Sequence, residues 1–260
     1  MTLVRSMLTP YGIVMAADST LTVKYPLPNE KALERHYTNA KKLQRIPDLN
    51  AGISWWGEGY IDGMNADVWL ENFISKQKAK TLKAFATCLR DELRKLGFRV
   101  TEKRNLRFGT IGFHLAGFVD FQDRMMPTLY HIHNGMSEAY SNIDPYVVNA
   151  NHDWYPEKVL EEWKRGHFPG LRNGDILPYA TLAAHLAGFF GKLKENLRIE
   201  GRPFQIPHPS DSIEAWAEFL RLKIRLISEI YALSNYPQIV GGKVITLIIK
   251  DDGTFKYEIK

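Results

Sequence analysis

The chain has 260 residues, 45% hydrophobic and 24% charged, an ordinary balance for one globular domain with a sizeable core. Lys and Arg number 34 against 29 Asp and Glu, a net charge of +5. The basic residues (76–80, 90–95, 99–107) are interspersed with acids, which argues against a nucleic-acid surface. A single cysteine excludes an intramolecular disulfide and points to a reducing compartment. No apolar run reaches the roughly 18–20 residues of a membrane span and no signal peptide opens the chain, so the expectation is a cytoplasmic protein.

Residues 2–9 and 12–18 are β-type runs separated by Pro10-Tyr11-Gly12 and read as a hairpin. Lys24 to Asn39 is polar with two prolines and reads as a loop or short helix. Residues 41–46 and 50–56 form a second strand pair around Pro47-Asp48. The period then changes: 64–77 and 81–97 carry apolar residues three and four apart, the mark of amphipathic helices, with Gly97 ending the second. Cys88 lies in this second helix and reads as a buried small hydrophobe. Strand character returns at 108–120 and 127–135, joined by the charged turn FQDRMM. A helix is expected around 156–165, a loop over 167–178, a helix over 181–197, and a loop over 201–211 with Ser210 or Asp211 as the cap of a helix over 213–233. A hairpin across Asp252-Gly253 closes the chain. Strands and helices come in blocks, which suggests two packed sheets with helices outside them. No repeat divides the chain, so residues 1–260 are read as a single domain.

Thr2 is the first candidate for chemistry. If Met1 is removed, one residue carries a nucleophilic hydroxyl and a free α-amine whose reference pKa of about 7.7–8.0 suits a general base. Asp18 is a second, because a carboxylate in the apolar run GIVMAADSTLT is out of place as mere surface. His131 and His133 share a strand face with His114 on the neighbouring strand. Three His can bind a metal, but no acidic partner accompanies them, and neither a metal nor a cofactor is expected.

In order along the chain, Thr2, GIVMAADSTLT, AKKLQRI, GISWWG, the strand pair GFHLAGFVD and PTLYHIHNG, and VGGKVITLIIKDDG resemble landmarks of the proteasome β-type subunits and the bacterial threonine-protease ring subunits, members of the N-terminal-nucleophile hydrolases. The resemblance implies an α+β fold, a four-layer αββα sandwich of two antiparallel sheets flanked by helices. It implies hydrolysis of amide bonds in a peptide or protein substrate by a ring-shaped homo-oligomer, with an ATPase partner possible. Thr2 would be the nucleophile, Lys42 (or, in its place, the neighbouring Lys41) the cation that lowers the pKa of its amine, Asp18 the partner of Lys42, and Gly57 the oxyanion N–H donor. Thr22 would pair with an extended substrate, and Trp55 would line the pocket for the residue before the cleaved bond. Trp69, Phe73 and Leu93 on the two helices would supply subunit contacts.

The chain also departs from the family. The stretch NYPQIVGG puts Pro237 and Val240 where the family has an Asp and a Ser, and only Ser234 or Asn235 could substitute. The region 145–212 is enlarged. A small-amide hydrolase of the same nucleophile class, or a non-catalytic ring subunit, fits these departures as well.

Overall fold

The computed structural model describes residues 3–25, 33–104, 110–134, 148–174, 212–234 and 240–260, with 181, 182, 185, 186, 192, 198, 199, 202 and 203 between them. In chain order its strands are β1 (Leu3–Thr9), β2 (Gly12–Asp18), β3 (Leu21–Tyr25), β4 (Leu33–Tyr37), β5 (Leu43–Ile46), β6 (Ala51–Gly57), β7 (Tyr60–Ile61) and β8 (Met64–Asn65). After helices α1 (Ala66–Lys76) and α2 (Leu82–Arg104) come β9 (Ile111–Phe121), β10 (Arg124–His133) and β11 (Asn149–Trp154). Helix α3 (Pro156–Lys164), β12 (Gly170–Gly174), the short strands β13 (Arg198–Ile199) and β14 (Arg202–Pro203), helix α4 (Ile213–Leu233), β15 (Val244–Ile249) and β16 (Phe255–Ile259) complete it.

Two five-stranded antiparallel sheets dominate, ordered β12-β1-β2-β15-β16 and β11-β10-β9-β6-β5. Strand alternation sorts their side chains into three apolar layers. Val4, Leu8, Ile13, Met15 and Leu247 meet Ala116 and Leu129 between the sheets. Leu3, Met7, Val14 and Ile248 face α4 through Trp216, Leu220 and Ile224. Ile53, Trp55, Phe113 and Leu115 face α1 and α2. The architecture is therefore helix, sheet, sheet, helix, the α+β sandwich expected.

Several local expectations are corrected. The polar stretch after β2 contributes strand where a loop or short helix was expected: Leu21–Tyr25 pairs antiparallel with Leu33–Tyr37. Gly170–Gly174 is a strand because it pairs with β1, and Asn149–Trp154 because it pairs with β10. Such partners are distant in sequence and leave no local period. The turn between β9 and β10 is only two residues, Gln122 and Asp123, both at positive φ, which matches the twist of a tight hairpin. Helix α2 runs through Gly97 to Arg104. The cap of α4 is Ser212, whose Oγ accepts the Ala215 N–H at 3.0 Å. Residues Ser210 and Asp211 lie outside the described residues, as does most of the helix expected over 181–197.

Cys88 is exposed. The buried stripe of α2 is Leu82, Phe85, Ala86, Leu89, Leu93 and Leu96, and Cys88 falls outside it. Trp69, Phe73 and Leu93 are buried at 7%, 8% and 0% exposure. They fill the core beneath α1 and α2, which corrects their assignment to a subunit contact. Among the described residues no helix is long and apolar enough to cross a membrane.

Candidate active site

The site is built at the end of β2. Asp18, wholly buried, is where that strand stops, and its carboxylate collects donors from three other parts of the chain. Oδ1 accepts the Leu3 N–H at 2.9 Å and the Lys42 ammonium at 2.9 Å. Oδ2 accepts the Thr20 N–H at 3.1 Å and the Gly241 N–H at 3.2 Å. A buried carboxylate persists only when its lone pairs are satisfied in this way. Lys42 donates in addition to the Thr20 carbonyl, and its side chain is 0% exposed.

Lys42 is held just before β5 by its own backbone. Its carbonyl accepts the Trp55 N–H at 3.2 Å and its N–H donates to Ala40 O at 3.1 Å, while Ala40 N–H reaches Ser19 O at 3.0 Å. Burial lowers the Lys42 pKa below its usual value, and the neighbouring Asp18 charge and hydrogen bond offset part of that fall. Lys41, next in sequence, points the other way: its side chain is 64% exposed and stands 3.8 Å from Glu71. Of the two lysines, the buried one faces Asp18.

The Gly241-Gly242 turn presses backbone against this corner. Gly242 has φ +69, and a Cβ there would lie 2.5 Å from Ser19 Oγ and 2.9 Å from Thr38 O. Ser19 Oγ donates to Thr38 O at 2.5 Å and accepts the Lys243 N–H at 2.8 Å. Backbone and Ser19 thus tie the closing strand to Asp18. Val240 is apolar, wholly buried on the α4 side, and Ser234 Oγ donates to Tyr231 O at 2.9 Å as the end of α4. Asn235 and Pro237 are outside the described residues. The Thr20 hydroxyl is buried in this corner without a hydrogen-bond partner among the described residues.

Gly57 ends β6 beside Ile111 of β9. Successive N–H groups of a strand alternate in direction. Because the Trp55 N–H points to Lys42 O, the Gly57 N–H points to that same side. Only glycine fits: φ is +91, and a Cβ would sit 2.0 Å from Thr110 O. Gly57→Ala is therefore expected to lower stability by about 1–3 kcal/mol from backbone strain alone, and by more from the clash. Chemical denaturation of the variant checks this.

Trp55 is 0% exposed. It projects with Ile53 toward the helices, and its Nε1–H donates to Lys41 O at 3.2 Å. Its ring backs the segment just before β5 that carries Lys41 and Lys42 and has no face open to a substrate side chain in this arrangement; Trp56, one residue on, projects between the sheets. Thr22 lies on β3 and pairs through its backbone with His36. Thr2 lies outside the described residues. The structure pairs Asp18 with Lys42, and adds to them the backbone donors of Leu3, Thr20 and Gly241, which sequence reasoning missed. The one available signal for the last was the Gly-Gly pair itself.

A cavity of about 690 Å3 lies elsewhere, between β5, α1 and β16, with Lys41, Leu43, Arg45, Glu71 and Phe255 in its lining. The three histidines do come together: His114 and His131 rings lie 5.4 Å apart and His131 and His133 rings 4.1 Å apart. They face the intersheet layer, where Ser6 Oγ bonds His114 Nδ1 at 3.1 Å and Asn173 Oδ1 bonds Nε2 at 2.7 Å. No metal-type cluster of His, Cys, Asp and Glu occurs among the described residues.

No family model matches the sequence, and no curated protein matches it. Solved structures do match. A Gly-1 mutant of Anbu from Hyphomicrobium sp. strain MC1 aligns with TM-score 0.52 and 14% identity, covering 100% of this chain and 87% of that one. Anbu, described as an ancestral beta-subunit, from Yersinia bercovieri aligns at TM-score 0.46 and 11% identity, covering 99% and 86%. The first of these corrects the resemblance to proteasome β-type and bacterial threonine-protease ring subunits, because the chain it aligns with is an Anbu protein. At 14% identity the first alignment speaks to fold alone, an α+β sandwich of two antiparallel sheets flanked by helices.

Proposed function

We propose that the chain is a threonine hydrolase that cleaves amide bonds of peptides with the hydroxyl of Thr2, exposed as the N-terminus by removal of Met1, and that it works as a ring-shaped homo-oligomer. One observation carries the reading. The Leu3 N–H, which belongs to the peptide bond joining Thr2 to Leu3, is held at 2.9 Å by the same Asp18 oxygen that accepts Lys42. A wholly buried ion pair thus anchors the first turn of chain after the nucleophile.

In the reaction, Thr2 Oγ attacks the carbonyl carbon while its proton passes, through a water, to the Thr2 α-amine. The oxyanion that forms accepts the Gly57 N–H, an interaction of about 3–4 kcal/mol in comparable sites. The C–N bond then breaks, the amine leaves with the proton held by the α-amine, and water hydrolyses the Thr2 ester. Lys42, the buried cation, would lower the pKa of the Thr2 amine by its charge. Thr22, on β3, would offer backbone pairing to an extended substrate.

The experiment is turnover of a fluorogenic peptide amide by preparations of known N-terminus. Protein beginning at Thr2 should hydrolyse it, and Thr2→Ala, which keeps an amine but no hydroxyl, should fall to background. Full turnover by Thr2→Ala would refute the assignment. One observation favours a second reading, a non-catalytic ring subunit: the buried apolar Val240 offers no side-chain support to a terminal amine. That reading expects a ring-sized particle without turnover by the Thr2 form.

A further inference from the structure

Residues 76–95 hold seven Lys and Arg against two acids, an excess of five, and the whole chain carries +5. The remainder is balanced. This stretch covers the end of α1 and most of α2, and a cavity of about 280 Å3 lies between α2 and the strands β10 and β11.

Its helix wall is Lys83, Thr87 and Arg90, spaced four and three residues apart and so on one stripe of α2. Ala86 and Ala150 line it too, and their small side chains leave the volume open. The opposite wall is Tyr130 and His152, with rings stacked 4.1 Å apart at 8°. That wall is fixed in place. Thr128 Oγ1 donates to Trp154 O at 2.9 Å, so it accepts the His152 Nε2–H at 2.5 Å. Burial, chiefly, keeps His152 below its ordinary pKa, which leaves the imidazole a neutral wall at pH 7 and the charge on Lys83 and Arg90. Arg90 Nε is taken by Asp91 at 2.8 Å, and its remaining N–H groups lie on a side chain that lines the cavity.

We propose that this cavity binds the phosphoryl group of a small molecule. The lining combines an ammonium, a guanidinium and a hydroxyl on the helix side with a phenol on the strand side. Such a set suits a tetrahedral dianion better than a planar carboxylate. The volume lies just below the usual range of about 300–1,000 Å3 for drug-sized ligands, which fits a phosphate or diphosphate. The proposal does not depend on the hydrolase reading, and its test requires no turnover.

The test is calorimetric titration of the full chain in phosphate-free buffer with inorganic phosphate, pyrophosphate and malonate in turn. Phosphate and pyrophosphate should bind once per chain, and malonate more weakly. Lys83→Ala and Arg90→Ala should each weaken phosphate binding roughly tenfold or more. Lys95→Ala, which removes the same charge from the same helix outside the cavity, should change it less than about twofold. Tyr130→Phe keeps the ring stack and should weaken binding without altering the unfolding transition. Absence of phosphate and pyrophosphate binding at millimolar concentration would overturn the proposal. So would equal losses from Lys95→Ala and Lys83→Ala, which indicate a diffuse basic surface, or malonate binding as tight as phosphate.

Discussion

Lys42→Ala is expected to reduce amide hydrolysis to background and to destabilise the fold by about 3–5 kcal/mol, the typical cost of breaking a buried ion pair from one side. Both groups of the pair are 0% exposed. Removing the ammonium leaves Asp18 with backbone donors only, in a corner without solvent. Lys41→Ala should move stability by no more than about 0.5 kcal/mol, because its ammonium is 64% exposed and meets Glu71 at only 3.8 Å. Urea unfolding and peptide-amide turnover, measured on both variants, check the contrast. Equal behaviour of the two lysines, or loss of activity with Lys41 alone, would refute the assignment of Lys42.

Acid should be the second large effect. Burial holds His114 at a pKa of about 4 and His131 at about 2, against about 6.5 in an unfolded chain. Below pH 6.5 the unfolded state takes up protons that the folded state refuses. The stability is therefore complete above pH 6.5 and is lost as pH falls, down to about 4 for His114 and onward toward 2 for His131. Each histidine contributes a slope of up to about 1.4 kcal/mol per pH unit, so the pair should remove about 3–5 kcal/mol by pH 4.5. Asp153, 3.7 Å from His131, has a pKa raised mainly by burial, and its own protonation in the fold offsets a part of this. Arg5 and His133 act on His114 in the same direction as burial. Denaturant midpoints from pH 7.5 to 4.5 check the prediction, and His131→Leu should flatten the curve. A wild-type midpoint that stays constant over that range would contradict it.

The parts of this molecule that were legible in the sequence are those whose chemistry is locally out of place. Asp18 in an apolar strand, a doubled lysine before a strand and a glycine closing a Trp-Trp run each announce a special environment. The layers were legible for the same reason, since α1, α2 and α4 carry unbroken apolar stripes. The pieces that escaped depend on partners far along the chain. Gly170–Gly174 has no strand pattern of its own and is a strand only because Leu3–Met7 lies beside it. The orientation of Trp55 is set by β6 taking Gly52, Ser54 and Trp56 to the sheet interface, a register that either tryptophan's identity permits. Cys88 looked buried because cysteine usually is, yet α2 turns Leu89 inward instead. The donors that secure Asp18 from Leu3, Thr20 and Gly241 are backbone groups, and every residue has those.

The central claim is that Thr2, at the N-terminus, is the nucleophile beside the Lys42–Asp18 pair. The most direct test is intact-mass and peptide-mapping analysis after reaction with a peptidyl β-lactone, whose ring opens onto a hydroxyl to form an ester without a leaving group. The predicted result is one adduct per chain, on a peptide that begins at Thr2 with Met1 absent, and no adduct in Lys42→Ala. An adduct on any other residue, or full turnover by protein whose mass shows Met1 wholly retained, would contradict the mechanism.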